Sequence, residues 1–346
     1  MTKKKILFVG GGSGGHLFPL IPLIKEFEQD TEAHLLTSDS KLDNLIVQEN
    51  FSDLKVKHHI ICTGKIRAYL SLQNFKDIIK IRAAITMSLQ ILKEINPDYL
   101  FFKGGYVGFP LLMALKKWKS KNVKIFLHES DISMGKLTQK FSKKATFVFK
   151  SYGATATPLF WHVENTNLRN AKNKTQIKKK LLVFGGSQGA LALNQLIVDA
   201  QDQLSHKYET ILVTGSTTFQ SIKPQIHETN NILVHEFLPQ AELYQKMEEA
   251  DLVLTRAGAS IFQLFHLQKK ALLVPLPGSA REHQRDNAQY FTDLGVCHSI
   301  EQRKLTTESL LESLEKLEMS KTIIPTLKTL KIESNEKEIA ERIRKS

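Results

Sequence analysis

ILFVGGGSGGHLFPLIPLI, residues 6–24, runs from a short apolar strand through a glycine-rich turn into a stretch with helical spacing. Glycines 10, 11, 12, 14 and 15 surround Ser13, and His16 follows at once. A turn of this kind directs backbone N–H groups and a helix N-terminus at one point, which suits a phosphate. LLVFGGSQGALALNQ, residues 181–195, repeats the pattern in the second half of the chain. Two strand–glycine–helix starts in one chain predict two halves of the same α/β design.

The rest of the chain agrees with that reading. In the first half, AHLLTS, YLFFKGG and KIFLHES are short apolar strands separated by amphipathic stretches. In the second, ETILVTGS, NILVHEFL, DLVLTRAG and ALLVPLP follow the restart. Continuous apolar strands alternating with helices indicate parallel sheets covered on both faces. The expected fold class is α/β, with two Rossmann-like domains facing across a cleft. We expect an N-terminal domain over 1–163, a polar basic linker over 164–180, a C-terminal domain over 181–330 and a charged helix over 331–346. Ile339 and Ile343 share one face of that last helix, which could pack back on the N-terminal domain.

A length of 346 residues exceeds what one core normally supports, so two domains are expected from size as well. Two cysteines far apart, Cys62 and Cys297, match no metal spacing and suggest a reducing compartment. The N-terminal lysines precede only four apolar residues, which is too few for a signal peptide, and no window is apolar for long enough to span a membrane. The net charge of +13 calls for an anionic partner. Aromatic RNA-binding signatures and zinc-finger spacings are missing, so nucleic acid is not expected.

The glycine loops exclude some chemistry. GGGSGGH lacks the Gly-Lys-Ser/Thr of a Walker A loop. Gly10, Gly12 and Gly15 match the dinucleotide fingerprint in spacing, but Asp30 sits at a helix end rather than at a strand end where a ribose would be held. In the second loop, Ser187 and Gln188 add side-chain donors to the backbone of Gly185, Gly186 and Gly189.

Taken together, GGSGGHLFP, KGGYVGFP, HES, GGSQGALALN, FLPQAELYQKMEEADLVLTRAGA and VPLPGSAREHQRDNAQYF resemble, in order and spacing, the signatures of the MurG family of glycosyltransferases. The resemblance covers most of residues 5–300. It implies the GT-B architecture and the inverting transfer of N-acetylglucosamine (GlcNAc) from UDP-GlcNAc to lipid I, forming lipid II for peptidoglycan. It implies acceptor contacts at Ser13, Gly14, Gly15, Gly105, Tyr106 and Asp131. Donor contacts are implied at Gly186, Ser187, Gln188, Gly189, Phe237, Leu238, Arg256, Gly258, Ala259, Gln263, His283, Gln284 and Asn287. The partners implied are UDP-GlcNAc, lipid I, the anionic inner leaflet, and cell-wall or division proteins. The location implied is the cytoplasmic face of the bacterial inner membrane, peripherally bound.

No Asp-x-Asp pair occurs in the sequence, so neither metal nor cofactor is expected, and the leaving diphosphate would be neutralised by the Gly185–Gly189 loop and its helix. His16 is the first candidate general base, because an imidazole can titrate near working pH; orienting the acceptor or capping the next helix are its other readings. His128 and Glu129, at the end of a strand, are further candidates.

Four positions depart from the family pattern: Phe160 stands where an arginine would meet the donor diphosphate, Gln263 where a glutamate would hold the ribose, and Ser130-Asp131 where Gln-Asn is usual. Basic residues with interleaved apolar ones suit interfacial attachment. They are Lys116, Lys117, Lys119, Lys121 and Lys124 around Trp118, and Lys65, Arg67, Lys76, Lys80 and Arg82 with Tyr69, Leu70, Phe75, Ile78 and Ile79. Two other readings stay open on sequence alone: a lipid-precursor-binding scaffold of weak activity, and a nucleotide-sugar epimerase of the same architecture.

Overall fold

The computed structural model describes residues 3–64, 72–118, 122–163, 178–186, 189–227, 230–278 and 282–346, with 72–76 as backbone only. The chain divides into two compact units, Met1–Trp161 with Ser334–Ser346, and His162–Glu333.

The first unit holds a six-stranded parallel sheet in the order β3-β2-β1-β4-β5-β6. Its strands are β1 (Lys4–Val9), β2 (Thr31–Ser38), β3 (Val56–Ile61), β4 (Tyr99–Phe102), β5 (Lys124–Glu129) and β6 (Phe147–Lys150). Strand side chains alternate between faces, and here both faces are apolar. Ile6 and Phe8 of β1 join one core with Phe101, Phe126 and Phe149, while Leu7 and Val9 join another with Leu100, Phe102 and Leu127. The helix Leu20–Phe27 covers the first face with Leu20, Leu23, Ile24 and Phe27, spaced to form one stripe. The helices Leu72–Ile95 and Gly108–Leu115 supply Ala84, Leu92, Leu111 and Leu112 to the second.

The terminal helix Glu336–Arg344 places Ile339, Ala340 and Ile343 in the first unit's core, and Arg344 Nε donates to Asp30 Oδ2 at 2.8 Å. Full burial of each isoleucine is worth about 1.5–3 kcal/mol, so this segment is an integral part of the unit.

The second unit repeats the topology as β12-β11-β10-β7-β8-β9, all parallel. The strands are β7 (Lys179–Phe184), β8 (Tyr208–Val213), β9 (Ile232–His235), β10 (Leu252–Thr255), β11 (Lys270–Leu273) and β12 (His298–Ser299). Residues 164–177 of the expected linker lie outside the described residues, and β7 begins at Lys179, inside the stretch read as linker from sequence.

In both sheets the chain winds outward from one central strand and returns to its other side. β1 and β4 are therefore neighbours, with Val9 opposite Phe102, and β7 and β10 likewise, with Phe184 opposite Thr255. Ligands of open α/β sheets bind at such a reversal, beyond the carboxyl ends of the strands. Both glycine loops begin there.

Candidate active site

In the first unit, the loop after β1 and the loop after β4 interlock. Lys103 N donates to Val9 O at 2.9 Å, extending the ladder past the strands. Gly105 adopts a φ of +89°, and a Cβ there would stand 2.1 Å from the Gly11 carbonyl oxygen, so only glycine lets the two loops cross. Tyr106 lies against Gly12 and donates from its hydroxyl to Ser38 Oγ at 2.9 Å.

Asp43, fully buried, holds this arrangement from below. It accepts from Gly12 N at 2.8 and 3.0 Å, from Ser38 N at 3.2 Å and from the Ser38 hydroxyl. Sequence reasoning missed Asp43. The available signal was Ser40-x-x-Asp43, a helix start in which Ser40 Oγ accepts from Asp43 N at 3.1 Å.

His16 stands in the turn of Gly14–Leu17, whose N-cap is Ser13. Its Nδ1 lies 3.2 Å from Gly11 O and 3.1 Å from Ser13 Oγ. A carbonyl only accepts, so Nδ1 carries the proton and Nε2 is the bare nitrogen. A Cβ at Gly104 would stand 3.1 Å from Nε2; glycine leaves that nitrogen uncovered. The pKa of His16 is pushed down to about 4, first by burial and then by the Lys103 ammonium, against the pull of the Gly11 carbonyl, Asp131 and Asp43. The ring is thus neutral and can accept a proton.

The two residues at the end of β5 have other employment. Glu129 Oε2 accepts from Gly135 N at 2.8 Å and Oε1 from Asp131 N at 3.4 Å, so it organises the loop that carries Asp131. His128 is 2% exposed, with Nε2 donating to Thr157 O at 3.0 Å and Nδ1 unpartnered, and burial holds its pKa well below the usual range. It ties β5 to the segment at Thr157, with its ring 6.3 Å from that of Phe101.

Lys103 was also missed. It is 1% exposed, and its Nζ donates to Ser130 Oγ. Burial lowers its pKa to about 8, opposed by Glu129 and Asp131. The signal was a lysine closing an apolar strand before a glycine pair.

In the second unit, Ser187 and Gln188 lie outside the described residues. Gly186 and Gly189 flank them at φ +86° and +82°, and a Cβ at Gly189 would stand 2.1 Å from Thr214 O. The following helix, Leu191–Asp199, starts from Ala190, which supplies no side-chain cap to its first N–H groups. Asn194, fully buried, ties this helix to Thr214 O at 2.9 Å and Thr218 Oγ1 at 2.8 Å.

After β10, Arg256 turns inward. Its Nη1 donates to Val274 O at 3.1 Å and Nη2 to Gln302 Oε1 at 2.7 Å, bracing the β10 and β11 ends, and burial lowers its pKa to about 10. Gly258 and Ala259 lead into the helix Ile261–His266, where Gln263 is buried. In the helix His283–Asp293, Asn287 Nδ2 donates to Ala257 O at 3.1 Å and Gln284 Oε1 accepts from Leu276 N at 2.9 Å. His283 Nδ1 is buried with no hydrogen-bond partner, an atom that a ligand hydroxyl could satisfy. Phe237 and Leu238 follow β9, Leu238 buried. Phe160 is 2% exposed inside the first unit, where its N–H donates to Ser334 Oγ at 3.2 Å.

Comparisons with known proteins identify the family. Residues 6–150 match the glycosyltransferase family 28 N-terminal domain, and residues 180–343 the glycosyltransferase family 28 C-terminal domain. The chain is 34% identical over 334 residues to a Streptococcus pneumoniae (strain Hungary19A-6) UDP-N-acetylglucosamine–N-acetylmuramyl-(pentapeptide) pyrophosphoryl-undecaprenol N-acetylglucosamine transferase, covering 91% of each. The crystal structure of Acinetobacter baumannii MurG is similar over the whole of both chains, with a TM-score of 0.73 and 21% identity. A putative UDP-N-acetylglucosamine 2-epimerase from Listeria monocytogenes shares the fold at a TM-score of 0.65 and 12% identity, over 94% of this chain and 91% of that one.

Proposed function

Because the chain belongs to glycosyltransferase family 28, within the MurG group, we propose that it transfers GlcNAc from UDP-GlcNAc to lipid I and so forms lipid II. The observation that carries the mechanism is His16: a neutral imidazole, fixed by Gly11 through Nδ1, with Nε2 uncovered at the strand reversal of the first unit.

The acceptor's muramyl 4-hydroxyl attacks the anomeric carbon of the donor sugar. The new C–O bond forms as the bond to the UDP oxygen breaks, the anomeric centre inverts, and the hydroxyl proton passes to His16 Nε2. Negative charge grows on the departing diphosphate. The second unit offers Gly185, Gly186, Gly189 and the open N-terminus of Leu191–Asp199 to meet it, donors fixed before the reaction and therefore free of reorganisation cost. In this reading Gln263, His283 and Gln284 meet ribose and sugar hydroxyls, a role supported for His283 by its unpartnered Nδ1. Arg256 and Asn287 act by holding the loops that do so.

Lipid I is anchored in a bilayer, and the first unit carries a surface suited to one. On the helix Leu72–Ile95, Ile78 is 48% and Ile79 71% exposed, beside the exposed Lys80. The neighbouring helix Gly108–Leu115 ends at exposed Lys116 and Lys117 and half-buried Trp118. Apolar side chains among lysines suit the headgroup boundary of an anionic leaflet. Among the described residues, no helix is long and apolar enough to cross a membrane. Lys65, Arg67, Tyr69, Leu70, Lys119 and Lys121 of the expected basic patches lie outside the described residues, as do the side chains of Phe75 and Lys76.

The test is incubation with labelled UDP-GlcNAc and a short-chain lipid I analogue in EDTA. Formation of the β-linked disaccharide lipid is expected. Conversion of UDP-GlcNAc to its 2-epimer without acceptor would move the assignment to an epimerase. Acceptor binding with no transfer would move it to a scaffold.

A further inference from the structure

Lys103 presents an imbalance that the mechanism above does not use. An ammonium has three N–H donors, and taking it out of water costs several kcal/mol unless it is paired and hydrogen-bonded. Lys103 is 1% exposed, donates to Ser130 Oγ, and forms no ion pair with any described carboxylate. Glu129 is too far for an ion pair and has both oxygens on backbone N–H groups, those of Gly135 and Asp131. His16, on which the same ammonium acts, is held neutral. Glu129 and Asp131 both act on this charge, but neither makes an ion pair with it, so the ammonium keeps room for a direct counter-charge.

The position identifies it. Lys103 is the first residue beyond β4, its N–H bonded to Val9 O one residue before the loop Gly10–Gly15. We propose that Lys103 is the counter-ion for the pyrophosphoryl group of the acceptor. This rests on reading the first unit as the acceptor's. The hydroxyl that covers the ammonium belongs to a partly buried serine that turns about a single bond, so a phosphoryl oxygen takes its place or shares the two remaining N–H groups. The loop N–H groups beside it complete an anion site. Burial is the larger cause of the His16 depression, and an anion there would offset only the second, the Lys103 charge.

The experiment compares wild type, Lys103→Met and Lys103→Arg by thermal melting, by KM for each substrate, and by binding of inorganic pyrophosphate measured calorimetrically without turnover. Lys103→Met should melt no lower than wild type, raise the acceptor KM at least tenfold with the donor KM within twofold, and weaken pyrophosphate binding at least tenfold. Lys103→Arg should recover part of that loss. In wild type, pyrophosphate should compete with the acceptor. A fall in melting temperature with both KM values shifting together would assign Lys103 to structure. Unchanged pyrophosphate binding in Lys103→Met, or competition against UDP-GlcNAc alone, would overturn the proposal. Because the calorimetric arm needs no transfer, a wild type that binds pyrophosphate through Lys103 yet transfers nothing contradicts the catalytic reading and not this one.

Discussion

The backbone N–H of Gly12 lies 2.8 Å from Oδ1 of Asp43, thirty-one residues away and fully buried. The same carboxylate binds Ser38, whose hydroxyl in turn accepts from Tyr106, so one side chain holds together the ends of β1, β2 and β4. The acceptor loop is thereby shaped before any ligand arrives, and preorganisation of this kind lowers the ordering cost of binding.

Asp43→Ala leaves the Gly12 and Ser38 donors buried without a partner. We expect a loss of about 3 kcal/mol, at about 1–3 kcal/mol for each unsatisfied group. That corresponds to a melting-temperature drop of roughly 6–12 °C for a domain of this size. The acceptor KM should rise while the donor KM holds. A variant with wild-type melting and wild-type acceptor KM would show that the loop keeps its shape without Asp43.

The glycine at 189 makes the corresponding test on the donor side. Gly189→Ala adds a Cβ 2.1 Å from Thr214 O at a φ of +82°, so the loop must move away from β8. Steady-state kinetics should give a UDP-GlcNAc KM at least tenfold higher with the acceptor KM little changed. An unchanged UDP-GlcNAc KM would remove this loop from the donor site.

Acid should weaken the fold through its buried histidines. His16 and His34 are each held down to about 4 by burial, aided by Lys103 and His59 respectively, whereas unfolded histidine titrates near 6.5. Between those values the unfolded chain binds more protons than the native one, so stability is full above about pH 6.5 and falls as pH drops toward 4. His34 shows the structural cause. Its Nε2–H donates to Glu32 Oε1 at 3.1 Å and its Nδ1 accepts from His59 Nε2 at 2.9 Å, so a second proton breaks the histidine pair. In melting curves at successive pH values, His34→Gln should decline less steeply than wild type over this window. Parallel slopes would assign the acid sensitivity elsewhere.

Much of the fold was legible because its central strands are largely buried on both faces and read as apolar runs: β1, β2, β4 and β5 in the first sheet, and β7, β8, β10 and β11 in the second; the edge strand β9 was legible from its apolar Ile232-Leu233-Val234 although none of its residues is buried. The strands not named from sequence are β3, β6 and β12, all at sheet edges. VKHHII is half exposed and carries His58 and His59, FVFK has a single buried residue, and β12 is two residues long. The glycine loops were legible because few other roles need glycine at those positions after a strand. What sequence could not show was burial. It placed His128 among the candidate bases, although the fold encloses it, and it passed over Asp43 and Lys103, whose importance lies in what surrounds them. Phe160 replaces a charge expected near the donor and lies instead in the first unit's interior.

The most direct measurement is single-turnover transfer of labelled GlcNAc to a lipid I analogue by wild type and His16→Ala, both confirmed as folded by melting. Wild type should form lipid II, and the variant should lose about 10²–10⁴-fold in the rate of the chemical step, the usual contribution of a positioned base, with donor affinity retained. Transfer by His16→Ala at the wild-type rate would remove His16 from the reaction, and a folded wild type that forms no lipid II would contradict the account itself.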